Sequence, residues 1–314
     1  MKSKKNILIT GGFGFIGSHL AKKYAQNEDN VYILSKSKDK ISNISGIEDK
    51  VNCIIKDIRE IEKEDVINKD YIFHLAGTVD NYSIKENKPY KDIETNCNGT
   101  IALLEACKNY NPKTKIIYAS TFFVNGNVDK LPVDANSPCN PLGLYGATRL
   151  AGEHFCHIYN KIFDLDSVIA RFTNVFGLFE QGENKKKAGF NFMINQAVKG
   201  EELQVYNNGD FIRDYIFVDD VVDACVVLAQ KGQTDKVYYV GRGEFIKFKK
   251  LIDIIKKHLP NTKIKSIEPP EFHKSVGIIN FVCDNSDLKN LGWSPKVSLE
   301  EGIKRTIEYY QKKN

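Results

Sequence analysis

Apolar residues in the first half of the chain gather in short β-branched runs separated by stretches with helical spacing. Residues 5–10 read as a strand and 16–26 as a helix. Residues 31–34, 51–55 and 71–76 read as strands, and 93–109 as a helix. A strand over 115–119, a helix over 145–160 and a strand over 167–171 complete the series. Strands alternating with helices predict crossover units and a parallel sheet. Runs such as Ile116-Ile117-Tyr118 suit strands covered on both faces. After Phe172 the rhythm changes. A polar loop over 177–188 leads into a mixed region, with helices expected over 219–230 and 245–258 and a short strand over 237–240. The pattern predicts an α/β fold: a doubly wound parallel sheet over 1–172 and a smaller mixed α/β substrate-binding lobe over 173–314, interleaved with it.

Composition narrows the class. The chain has 314 residues, 42% hydrophobic and 27% charged, which is the balance of a globular protein. The formal charge of +5 is spread along the sequence, so no nucleic-acid partner is expected. The run Lys185-Lys186-Lys187 reads as a solvated loop. Seven cysteines, an odd number without a CxxC pair, suggest buried thiols in a reducing, cytoplasmic setting. The basic start at Met1–Lys5 is followed by an apolar stretch that stops at Thr10-Gly11-Gly12, too short for an export core. No run approaches transmembrane length, so no membrane association is expected.

The candidate chemistry begins where the first strand ends. Gly11, Gly14 and Gly17 form a GxxGxxG turn between a strand and a helix. Such a turn lets the backbone approach a pyrophosphate and aims the free N–H groups of a helix start at it. This points to a Rossmann-type dinucleotide site. The second strand ends in Leu34-Ser35-Lys36 with no carboxylate for a ribose 2′-hydroxyl, which leaves NADP open beside NAD. Farther along, Tyr145 and Arg149 stand one helical turn apart. A fixed cation favours a phenolate and fits a tyrosine to exchange a proton with a substrate hydroxyl. Thr121, at the end of the 115–119 strand, lies on the side where ligands of parallel sheets bind.

Taken in order, these segments resemble the extended short-chain dehydrogenases/reductases of the NAD-dependent nucleotide-sugar epimerase/dehydratase group. The likeness covers nearly the whole chain. It runs through the Gly-rich turn, Asp57-Ile58, His74-Leu75-Ala76-Gly77, Asn96-Cys97-Asn98-Gly99-Thr100, Ser120-Thr121 with Gly126, and the Tyr145 helix. Beyond these come Arg171–Gly177, Arg213-Asp214-Tyr215 and Leu291–Pro295. The resemblance implies cofactor contacts from Gly11, Gly14, Phe15, Ile16, Gly17, Ser35, Lys36, Asp57, Ile58, Leu75, Ala76, Gly77, Asn96, Tyr145, Arg149 and Phe172. Catalysis would fall to Thr121, Tyr145 and Arg149. A nucleotide-diphosphate sugar would meet Thr121, Asn174, Asn191, Gln204, Tyr206 and Arg213. A homodimer through helices 93–109 and 145–160 is implied as well.

Two departures from the family pattern bear on the reaction. Arg149 stands where the family has lysine; it keeps the charge but not the shape. After Thr121, where the sugar 4,6-dehydratases carry an Asp-Glu pair, this chain has Phe122-Phe123. Neither can do acid–base work, so dehydration is not expected. Redox at C4 remains. Phe122, read as crowding the pocket, tilts the expectation toward a one-way 4-dehydrogenase or 4-ketoreductase, with a 4-epimerase as the alternative and a non-catalytic cofactor-binding scaffold as a second. His154 and His157 lie one turn apart without converging ligands, and no metal is expected.

Overall fold

The computed structural model describes residues 4–79, 89–183 and 189–313. The Lys185–Lys187 run lies outside them. Eleven strands occur among these residues: β1 Asn6–Thr10, β2 Asn30–Ser35, β3 Val51–Ile55, β4 Tyr71–His74, β5 Lys115–Thr121, β6 Ser167–Phe172, β7 Asn174–Phe176, β8 Leu203–Tyr206, β9 Tyr215–Phe217, β10 Val237–Val240 and β11 Ile264–Ile267. The helices are α1 Phe15–Gln26, α2 Lys63–Val66, α3 Tyr90–Asp92, α4 Gly99–Tyr110, α5 Leu144–Phe163, α6 Gly189–Val198, α7 Val218–Lys231, α8 Phe248–His258, α9 Glu271–Val276, α10 Ser286–Asn290 and α11 Leu299–Lys313.

Seven strands form one parallel sheet in the order β10-β6-β5-β4-β1-β2-β3. The order reverses between β1 and β4, and the crevice at the carboxyl ends of these strands is where such sheets bind ligands. β5 and β6 are buried along almost their whole length, as strands with helices on both faces must be. On one face α1 and α7 pack over Ile7, Ile9, Phe73, Ile117 and Val168. On the other, α4 and α5 cover Leu8, Ile72, Ile116 and Tyr118.

The chain leaves the sheet after β6 and later returns: β10 pairs with β6, and α7 belongs to the sheet layer. Two parallel pairs, β7–β9 and β8–β11, with α6, α8 and α11 build a separate core of Phe176, Ile194, Leu203, Phe217, Leu251 and Ile303. The segment Leu291–Pro295 is tied back to α7, where the Trp293 Nε1–H donates to the Asp220 carbonyl at 3.1 Å. Among the described residues no helix is long and apolar enough to cross a membrane.

Candidate active site at the crevice

Three loops meet above the β1–β4 switch point. The first follows β1. Gly11 has φ +70°, in the region that favours glycine, and its N–H donates to the Leu34 carbonyl at 2.7 Å. A Cβ on Gly17 would fall 2.6 Å from the Gly11 carbonyl oxygen, so helix and turn close together only without one. Gly14 caps α1 without a side chain, and the first turn, Phe15-Ile16-Gly17, holds no carboxylate. Its N–H groups and dipole end are therefore open to an anion. These residues fit a dinucleotide pyrophosphate.

The second loop, Leu75-Ala76-Gly77, is fixed from beneath by a buried hydroxyl–imidazole chain. Thr100 donates to the Asn96 carbonyl at 2.6 Å, so its oxygen accepts from His74 Nε2 at 3.0 Å. In the neutral ring Nδ1 is then an acceptor, and Thr10 donates to it at 2.9 Å while accepting from the Ala76 N–H at 3.1 Å. Burial, with the Arg149 charge adding to it, lowers the His74 pKa to about 3. The unfolded ring takes up a proton below about pH 6.5 that the folded one refuses, so stability falls as pH drops from 6.5 toward 3. At pH 5 His74 is expected to cost roughly 2 kcal/mol relative to pH 7. Urea midpoints at the two pH values check this: His74→Gln should flatten the difference, and an unchanged difference contradicts it.

Asn96 sits in a π-helical turn, Ile93–Asn98, between α3 and α4. Its carboxamide is spent within the protein, accepting from the Thr78 N–H at 2.9 Å and donating to Thr78 Oγ1 at 3.1 Å and Thr148 Oγ1 at 3.0 Å. The residue holds the 75–78 loop against α5.

The third loop follows β5. Thr121 caps the turn Phe122–Val124, its oxygen accepting from the Phe123 N–H at 3.3 Å, which leaves its own O–H to give. The Tyr145 ring, at the start of α5, lies edge-on to Phe123 with centroids 5.9 Å apart. One turn on, Arg149 is buried; its Nη1 donates to the Ala119 carbonyl at 3.0 Å and its Cζ lies 5.7 Å from the Tyr145 ring centre. Burial works against the charge, but the Tyr118 and Tyr145 phenols outweigh it and hold Arg149 above the usual arginine value. Thr121, Tyr145 and Arg149 thus gather at one edge of the crevice. Phe122 does not join them. It is buried between Phe281, with ring centroids 4.7 Å apart, and Phe123, at 4.4 Å. The expected crowding of the pocket by Phe122 is corrected: Phe123 is the aromatic beside the tyrosine.

At the end of β2, the Lys36 Nζ pairs with Asp57 at 3.0 Å. The Arg59 side chain, bonded to the same carboxylate, is the main reason Asp57 is held well below the ordinary carboxylate range, and Lys36 adds to it. Ile58 is buried against Gly99.

Arg213 is not in an ion pair with Asp214 or Asp210. Asp210 is bound by Lys247, and the buried Asp214 accepts backbone N–H groups from Arg242 at 2.8 Å, Gly243 at 3.0 Å and Cys283 at 3.3 Å. Arg213 Nη1 is buried with no hydrogen-bond partner among the described residues, and burial lowers this arginine to about 10. Asn174 donates to the Asp214 carbonyl at 3.0 Å beside it. Tyr206 reaches His273 Nδ1 at 2.6 Å, and Gln204 is exposed on β8. Asn191 is placed otherwise than expected. It is fully buried, and its carboxamide closes on Gly177 and on the Tyr310 hydroxyl, so it locks the loop after β7 to α6 and α11. His157 pairs with Asp235 at 2.8 Å.

Beneath this edge lies a buried polar group that no local spacing announces. Glu153 on α5 pairs with Arg171 on β6 at 2.7 Å, both buried, and accepts from Ser120. Arg171 also reaches Tyr239, whose hydroxyl donates to Asn125 at 2.6 Å. The signal was an acid on the buried face of α5 and an arginine inside an apolar strand.

Comparison with known proteins agrees with this architecture. Residues 7–241 match the model of the NAD dependent epimerase/dehydratase family. The chain is 31% identical to a putative UDP-glucose 4-epimerase of Methanocaldococcus jannaschii, over 98% of this chain and 99% of the relative. A UDP-glucose 4-epimerase of Thermotoga maritima, solved with UDP-glucose, superposes with TM-score 0.88 at 29% identity, covering 98% of this chain and 99% of the other. A UDP-glucuronic acid 4-epimerase of Bacillus cereus, solved with UDP-glucuronic acid and NAD, gives TM-score 0.87 at 27% identity, covering 98% and 100%. With a parallel sheet that reverses at β1–β4, a glycine turn shaped for a dinucleotide, and these likenesses along its length, the chain belongs to the NAD-dependent epimerase/dehydratase family of nucleotide-sugar enzymes.

Proposed function

We propose that the protein is a nucleotide-sugar 4-epimerase working with tightly held NAD. What supports this reading over one-way redox is the likeness along nearly the whole chain to proteins named as 4-epimerases. Dehydration stays disfavoured, because neither Phe122 nor Phe123 can donate or accept a proton.

NAD, which the glycine turn after β1 and the 75–77 loop would hold, would supply a hydride acceptor for C4 and a hydride donor for the 4-keto carbon. Tyr145 accepts the C4 hydroxyl proton in the first half and gives it back in the second. Thr121 offers its hydroxyl to the same oxygen. Arg149 sets a permanent positive charge beside the atoms where negative charge develops. Arg213, whose Nη1 has no partner among the described residues, supplies the donor for the diphosphate, with Asn174 next to it. Gln204 and Tyr206 border the base.

The Lys36–Asp57 pair favours NAD: a 2′-phosphate would have to share the lysine with a carboxylate and meet its charge. NADP(H) is expected to bind at least about tenfold more weakly than NAD(H). Titration with both dinucleotides checks this, and equal affinity contradicts it. A homodimer through α3–α4 and α5 is supported by the apolar side chains Tyr90, Ile93, Tyr110, Ile158, Ile162 and Phe163, which these helices leave exposed.

The test is incubation with UDP-glucose, UDP-N-acetylglucosamine and UDP-glucuronic acid in turn. The C4 epimer of one of them is expected, without net change in free dinucleotide. Stoichiometric reduction or oxidation of added dinucleotide with no epimer would return the one-way reading.

A further inference from the structure

We propose that Gly77 and Arg149 are a matched pair, in which the missing side chain at 77 makes the notch that seats the guanidinium. The inference rests on the reading of Arg149 as the cation beside Tyr145. Gly77 does not need to be glycine for its backbone, since its φ lies outside the region that favours glycine. Its clearance is the reason. A Cβ there would stand 2.0 Å from Arg149 Nη2 and 2.7 Å from its Cζ. No rotation of a methyl avoids a contact that short with a buried, planar group.

The guanidinium is also held from the other side, where Nη1 donates to the Ala119 carbonyl at 3.0 Å. Pinned between β5 and the 75–77 loop, Arg149 has one orientation. In it, Nε is buried and has no hydrogen-bond partner among the described residues. A charged donor left so is costly unless a bound molecule takes it. Given the glycine turn opposite, that molecule is the dinucleotide, so Gly77 acts as a positioning residue for cofactor binding through Arg149. An ammonium in place of the guanidinium would lack the breadth to fill the notch and bond Ala119 together.

The same Cβ would lie 2.7 Å from Asn96 Oδ1, so Gly77→Ala carries some cost of its own. The coupling between the two positions is therefore what must be read. Four proteins are compared: wild type, Gly77→Ala, Arg149→Lys and the double variant. For each, NAD affinity is measured by calorimetry and the unfolding temperature without NAD by calorimetric scanning.

Gly77→Ala is expected to weaken NAD binding by at least about tenfold in the wild-type background. In the Arg149→Lys background it should weaken binding by less than about twofold, or improve it, because the notch is no longer occupied. Equal loss in both backgrounds, or no loss in the wild type, overturns the proposal. None of these readings depends on which sugar is turned over. A protein that shows the coupling but makes no C4 epimer would sink the proposed reaction and leave this inference standing. A protein that epimerises but shows no coupling would do the reverse.

Discussion

Tyr145→Phe is expected to lower turnover by about a thousandfold, within the range that positioned acid–base groups contribute, while leaving NAD retention and the unfolding midpoint close to wild type. The substitution removes one oxygen. The ring keeps its edge contact with Phe123 and its place below the Arg149 guanidinium, so the crevice should hold its shape. Steady-state rates with the accepted nucleotide sugar, together with the dinucleotide released on denaturation, check both halves. Residual turnover within about tenfold of wild type would mean that the proton moves by another group. A scaffold that only binds the cofactor would register no change.

The second large effect is on stability. Glu153 and Arg171 face each other across α5 and β6 with almost no solvent, and Ser120, Tyr239 and Asn125 complete the network. Burial opposes the charge of Arg171, but the hydrogen bond and charge of Glu153 overcome it, and the guanidinium stays protonated. Removing either partner alone leaves a buried charge with no counterion. Glu153→Ala or Arg171→Ala should each cost about 3–5 kcal/mol. Replacing both with apolar residues of similar volume, Glu153→Leu with Arg171→Met, should cost far less than the sum, since no orphan charge remains. Urea unfolding of the three variants decides it, and strict additivity would contradict the account. The network also anchors the residue before Thr121 and the helix that carries Tyr145. The single variants should therefore lose turnover as well as stability.

Much of this was legible in the chain. Strands of the first half fell within a residue or two of their observed ends, because runs such as Ile7-Leu8-Ile9 and Ile116-Ile117-Tyr118 are buried on both faces and carry no competing helical spacing. The glycine turn and the Tyr145–Arg149 pair were readable because local spacing alone defines them. Other features depend on distant pairing. Nothing in Val237–Val240 announces that it joins the sheet beside β6. In the C-terminal helix α11 the Glu, Lys and Arg residues dominate the composition and mask the signal, which is the buried set Ile303, Thr306, Ile307 and Tyr310 at helical spacing. A π-helical turn over Ile93–Asn98 leaves no mark in a helical pattern, yet it directs Asn96 between two elements.

The crevice itself shows where one-dimensional reading ends. Phe122 and Phe123 are neighbours in sequence and their rings touch, but Phe122 is buried in a core with Phe281 and Tyr239 while Phe123 lies at its edge beside Tyr145. Which does which follows from the packing of that core. Asn191 looked like a ligand for phosphate; its surroundings of Gly177 and Tyr310 make it an internal brace. The resemblance implies Arg213 as a diphosphate partner, and an Nη1 with no hydrogen-bond partner among the described residues is what the fold adds.

Epimerisation at C4 with the cofactor kept in place is tested most directly by isotope. The accepted nucleotide sugar, labelled with deuterium at C4, is incubated with the protein and the product examined by NMR and mass spectrometry. The account predicts an epimer that carries the deuterium at C4, with none passed to free dinucleotide or lost to water. Deuterium found in free dinucleotide, with a 4-keto sugar and no epimer, would contradict it and make the protein a one-way 4-dehydrogenase.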